Sequence, residues 1–170
     1  MAHEYTAYMH MVLVADTQFD KATAPFAGGG VTQAVENATN GQRWTAGSAA
    51  GQVDAVYRRE RTVGSGATDA YNVLAAGSLE TPAGEAVDLD ECKAIMVRCT
   101  AGSIKVVGGT SNPMACFTGS GHGVVLTAGQ SFGLDLGPSG IDVTTNSTFE
   151  VIEATSGATA TYQLGFVGAE

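Results

Sequence analysis

The chain has 170 residues, of which 23 are glycine, about twice the average usage of roughly 7%. Charged residues make up 15% and hydrophobic residues 44%, with aromatics at 7%, so the apolar content comes mainly from Ala and Val. This excludes heptad coiled coils, Gly-X-Y collagen and disordered chains, and 17 Asp+Glu against 8 Lys+Arg, a net charge of −9, argues against a nucleic-acid partner.

Residues 1–55 read as an extended N-terminal arm. The first feature is the apolar run 9–14 (MHMVLV). In an extended chain Tyr8, His10, Val12 and Val14 share one side of it. No Lys or Arg precedes the run, as a secretory signal would require, and it falls far short of the roughly 18 apolar residues of a membrane span. A strand or docking segment is the expectation. Next come Pro25, the triplet Gly28, Gly29, Gly30, and a stretch with Val31, Ala34, Val35 and Ala38 at helical spacing, which predicts two helical turns over 31–38. A helix that short needs a partner surface. Residues 45–51 (TAGSAAG) read as loose linker. The arm holds too few large apolar side chains to fold alone.

From residue 56 the pattern is regular, and 56–170 reads as one β-sandwich domain. Strands are expected at 56–63, 70–74, 85–89, 92–100, 104–107, 123–127, 131–136, 141–144, 149–154 and 159–167. Turn residues separate nearly all of them. Several segments alternate cleanly: Phe149, Val151 and Glu153 against Glu150, Ile152 and Ala154, and Tyr162, Leu164 and Phe166 against Thr161, Gln163 and Gly165. One buried and one wet face is the antiparallel habit. Short strands every 8–12 residues or so, with no long helix, predict an all-β, jelly-roll-like antiparallel sandwich. An immunoglobulin-like sandwich is the competitor, but the single Trp44 lies outside any Cys-Trp-Cys spacing.

Residues able to carry chemistry are sparse. Cys92, Cys99 and Cys116 are odd in number, form no CxxC pair, and are expected to be reduced, strand-borne thiols, which points to an intracellular origin. Cys116 and His122 flank a Gly-rich loop in which a Cys/His nucleophile pair is conceivable, but a packed thiol beside a loop histidine is the favoured reading. Asp88, Asp90 and Glu91 bunch before a strand, and Asp135 and Asp142 flank a loop. They lack EF-hand spacing and read as solvated turn acids. A cupin-type metal site needs two or three histidines, and the β domain holds only His122. No GxSxG, HExxH or GK[ST] motif is present, so no catalytic residue, metal or cofactor is expected. Two sequons, at Asn37 and Asn146, read as chance matches.

The charged run Arg58, Arg59, Glu60, Arg61 is more informative. On a strand Arg59 and Arg61 share one face, and Arg58 and Glu60 the other. The run reads either as a charged edge that discourages strand addition or as an ionic contact with an acidic neighbouring subunit.

The stretch 56–168 resembles the small β-structured virion proteins of tailed bacteriophages. The likeness lies in a GG-x-x-x-N turn (Gly108, Gly109, Asn112), a GQSF strand start (Gly129 to Phe132), a G-x-x-V-T strand (Gly140 to Thr144), the 149–157 strand and turn, and a final TYxxxxxG strand (Thr161 to Gly168). It covers about two-thirds of the chain and rests on turns and strands rather than catalytic motifs. Within that group, capsid decoration (cement) proteins are the first expectation. The resemblance implies a non-enzymatic protein on the outer capsid surface, made in the bacterial host cytoplasm. It would assemble as a homotrimer and bridge major capsid protein subunits, with no membrane or nucleic-acid partner. The interface residues expected are Tyr8, His10, Val12, Val14, Arg58, Arg59 and Arg61. The alternative is a tail, head-fibre or baseplate component that binds host glycans. Such a site needs exposed aromatics, and only Tyr71 and Phe117 are candidates.

Overall fold

The computed structural model describes residues 44–74, 79–80, 86–117 and 122–170. The expected strand or docking segment at 8–15 and the helix at 31–38 lie outside them. The elements are β1 (Thr45–Ala46), β2 (Gln52–Val53), β3 (Ala55–Val63), β4 (Thr68–Asn72), β5 (Glu91–Ala101), β6 (Ser103–Gly108), β7 (Gly123–Thr127), β8 (Ser131–Asp135), β9 (Ile141–Asp142), β10 (Thr148–Glu153) and β11 (Ala160–Ala169). No helix occurs among the described residues.

Two antiparallel sheets form the body. One runs β3-β11-β5-β8, with β9 also pairing β5; the other runs β4-β10-β6-β7. Setting aside the two-residue strands, the remaining eight number 1-8-3-6 in one sheet and 2-7-4-5 in the other. Every connection except β6 to β7 crosses from sheet to sheet. This is the jelly-roll order, and the fold is the all-β sandwich that the strand spacing predicted.

Alternation builds the core. Tyr162, Leu164 and Phe166 of β11 are fully buried, as are Phe149 and Val151 of β10. Their neighbours Gln163, Gly165, Glu150 and Ile152 are half-buried on the outer faces. Phe149 and Phe166 meet edge to face across the two sheets, with ring centroids 5.4 Å apart, a favoured aromatic geometry.

Four local expectations differ from the structure. Residues 86–89 of the strand expected at 85–89 make one bridge, Ala86 to Glu80, and no ladder. Val87 and Leu89 are buried in alternation, but their amides donate to the carbonyls of Leu79 and Val73 in separate loop contacts. The strand expected at 141–144 stops after two residues, because the Asp142 carboxylate accepts from the amide and hydroxyl of Thr144 and folds the chain into a turn. The strand expected at 70–74 runs instead over Thr68–Asn72, where Asn72 Oδ1 accepts from the Leu74 amide and closes the strand. Cys116 lies in a turn rather than on a strand.

Residues 44–53, read as the end of the arm, pack on the sandwich. β1 and β2 form a small parallel pair. Trp44 is fully buried with Val53 and Ala94, against Val167. Lys93 is buried beneath this segment. Its Nζ donates to the carbonyls of Gln52 (2.6 Å) and Ala49 (3.1 Å) and lies 3.3 Å from Glu91 Oε2. A buried ammonium is tolerable only with such partners.

Candidate interaction surface

Among the described residues the sandwich has four edge strands, and their chemistry differs. β3 carries Arg58, Arg59, Glu60 and Arg61. Pairing with β11 sets their directions: Arg58 lies opposite Gly165 and Glu60 opposite Gln163 on the outer face, while Arg59 and Arg61 lie opposite Leu164 and Tyr162. Two arginines thus share the inward parity of the core. They remain hydrated because β3 is the sheet's margin. Arg59 Nη1 donates to the Glu80 carbonyl at 3.4 Å and sits 4.0 Å from its carboxylate. Glu60 accepts from Gln163 Nε2 at 3.2 Å.

Arg61 begins a polar chain that runs into the core between β3 and β4. Its guanidinium lies near the Tyr71 hydroxyl, which favours the charged form. The hydroxyls of Tyr71 and Tyr162 are 2.5 Å apart, and the Tyr162 hydroxyl donates to Asp69 Oδ2, also at 2.5 Å. The donor direction follows: Tyr162 spends its proton on Asp69, so Tyr71 donates to Tyr162. Two buried phenols link a cation at one end to a carboxylate at the other. Burial pushes both tyrosine hydroxyls above their ordinary range, and the nearby Tyr71 hydroxyl raises Arg61.

The other edges are barer. β4 carries Asp69 and β8 carries Asp135. β7 (GVVLT) carries no charged residue. Among the described residues it pairs with β6 alone, and Val124 and Val125 are 36% and 55% exposed.

On the outer face of the β4-β10-β6-β7 sheet a cavity of about 280 Å³ is lined by Asn72, Thr110, Ser111, Thr148 and Glu150, with Ala70 and Tyr71. Glu150 Oε1 accepts from the amide and hydroxyl of Thr110 at 2.8 and 2.7 Å. Neither aromatic candidate forms a glycan platform: Tyr71 is buried, and Phe117 is half-buried against Phe149 and Phe132.

The three cysteines are free thiols. Burial pushes the Cys116 thiol up to about 11 and Cys92 higher still, which works against thiolate chemistry. Of the acids considered as metal ligands, Asp135 accepts from the Gly137 amide and Asp142 from Thr144. Among the described residues no three His, Cys, Asp or Glu side chains gather to hold a metal ion, and no helix is long and apolar enough to cross a membrane.

Of the expected interface residues, Arg58, Arg59 and Arg61 stand together on β3, while Tyr8, His10, Val12 and Val14 lie outside the described residues. Sequence reasoning missed the Asp69, Tyr71 and Tyr162 chain. The i, i+2 spacing of Asp69 and Tyr71 was visible, but a contact made across two sheets carries no local signal. No model of a protein family matches the chain, and no curated protein sequence matches it.

Proposed function

We propose that the chain is a non-enzymatic structural protein of a tailed-phage particle. It decorates the outer capsid surface as a homotrimer and stabilises the shell by bridging major capsid protein subunits. The observation that carries this reading is the fit between the virion-protein progression of turns and strands and the jelly-roll corners. Asn112 of the GG-x-x-x-N turn has φ 50°, and Gly140, at the head of the G-x-x-V-T strand, has φ 71°. The final TYxxxxxG segment lies within β11, which pairs with both β3 and β5.

Two further features support it. Residues 1–43 precede the buried anchor Trp44 and offer the apolar run 9–14 for docking on a neighbour. The arginines of β3 offer an ionic patch to an acidic subunit. Many copies on a closed shell turn weak contacts into firm retention. Quantifying the protein in purified virions tests the proposal: copies in the hundreds support shell decoration, and a handful refute it.

The hydroxyl-rich cavity beside Glu150 favours a second reading, a tail or fibre component that binds host glycans. Binding on a glycan array that is lost in Glu150→Ala supports it, and an array without hits ends it.

A further inference from the structure

We infer that the β7 edge is the acceptor for residues 9–14 of a second copy, which add to it as a further strand. The four edges supply the contrast. β3 bears four charged residues in succession, and β4 and β8 each bear an aspartate. Charges at a margin discourage strand addition, and an uncharged apolar margin invites it. Only β7, among these four, is uncharged, and it exposes two adjacent valines on its two faces. The side away from β6, which has no ladder partner among the described residues, presents backbone N–H and C=O groups from alternate residues, those of Thr127 being taken by Gln130.

The occupant has matching chemistry. Residues 9–14 (MHMVLV) are six residues without Asp, Glu, Lys or Arg, close in length to the five of β7. Residues 15–43, 29 in number, separate Val14 from Trp44, and glycines 28–30 lie among them. Fully extended, such a linker spans about 100 Å; as a flexible coil it averages about 30 Å. Either length reaches a touching neighbour, since a domain of this size has a radius of gyration near 14 Å. The root of the linker lies on the other sheet, so an arm bound to its own β7 must wrap round the sandwich. Trp44 is fixed against Ala94 and Val167 of the β3-β11-β5-β8 sheet, whereas β7 borders the opposite sheet. Each copy giving an arm and receiving one is a heterologous contact, which forms a ring where its rotation closes.

This inference rests on the reading of the arm as a docking segment but not on the virion, so purified protein tests it without shells. Two variants are made. One lacks residues 2–14. The other is Val125→Glu, which charges the β7 edge opposite Lys105 of β6. Val124→Glu serves as a second edge variant, and circular dichroism checks that each folds. By sedimentation velocity the unaltered protein is expected to self-associate and each variant alone to be monomeric. An equimolar mixture of the truncated chain with Val125→Glu is expected to form a 1:1 dimer, joining the one intact arm to the one intact edge. A monomeric unaltered protein overturns the inference. So does self-association that survives the truncation, or a mixture that forms no dimer. Loss from virions with self-association intact would count against capsid decoration alone.

Discussion

Replacing Tyr162 with Phe probes the polar chain at its middle link. The substitution keeps the ring in the core and removes one oxygen. That oxygen donates to Asp69 and accepts from Tyr71, each at 2.5 Å. A hydrogen bond to a charged group contributes about 1.5–3 kcal/mol and a neutral one about 0.5–1.5. Asp69 is half-buried, so water recovers part of the first. The Tyr71 proton, in a residue 2% exposed, has no ready substitute. The expected loss is about 2–3 kcal/mol. Tyr71→Phe leaves the Tyr162 to Asp69 bond in place and frees Arg61, which is exposed, to water; its expected loss is about 1 kcal/mol. The double variant is expected to cost less than the sum, because the Tyr71 hydroxyl no longer lacks an acceptor once it is gone. Urea denaturation of the four proteins measures the cycle. Equal losses for the two single variants, or strict additivity, would refute the directed chain.

Three more outcomes follow from the same structure. Gly102→Ala should destabilise by more than 1 kcal/mol in thermal melting, since Gly102 has φ 74° and a Cβ there would lie 2.6 Å from the Thr159 carbonyl oxygen. From neutrality to about pH 9 the thiols and phenols leave stability level, and above it stability should fall. Burial raises Cys92 and Cys116 from 9.0, and Tyr71 and Tyr162 from 10.0; the native state therefore holds protons that the unfolded chain releases, and each costs up to about 1.4 kcal/mol per pH unit. Stability that rose between pH 9 and 11 in urea titrations would contradict those burials. Trp44, the only tryptophan, is fully buried, so its fluorescence should be blue-shifted, resist iodide quenching and shift red on unfolding. Red, quenchable emission from the native protein would contradict the packing of residues 44–53.

The sandwich was legible because its signal is local. Period-two alternation in 149–153 and 160–167 places Phe149, Val151, Tyr162, Leu164 and Phe166 inside, and they are inside. Glycine-marked turns then fix strand lengths, so the jelly-roll order followed from the number and spacing of strands. The departures have side-chain causes. Asp142 and Asn72 end their strands by binding nearby backbone amides. Val87 and Leu89 alternate like a strand but bury their side chains without a ladder. The TAGSAAG stretch looked like linker because its ordering comes from elsewhere, from Trp44 on the sheet and from Lys93 reaching the carbonyls of Ala49 and Gln52. At the surface, the arginine run was evident in sequence. That two of its members would face inward at an open margin, and that one would meet Tyr71, depends on strand order and could not be read along the chain.

The central claim is that the protein coats a phage shell. Mass spectrometry of purified virions, calibrated against the principal shell protein, tests it most directly. The account predicts copies in the hundreds, in fixed proportion to that protein. A handful of copies, or absence from the particle, would contradict it.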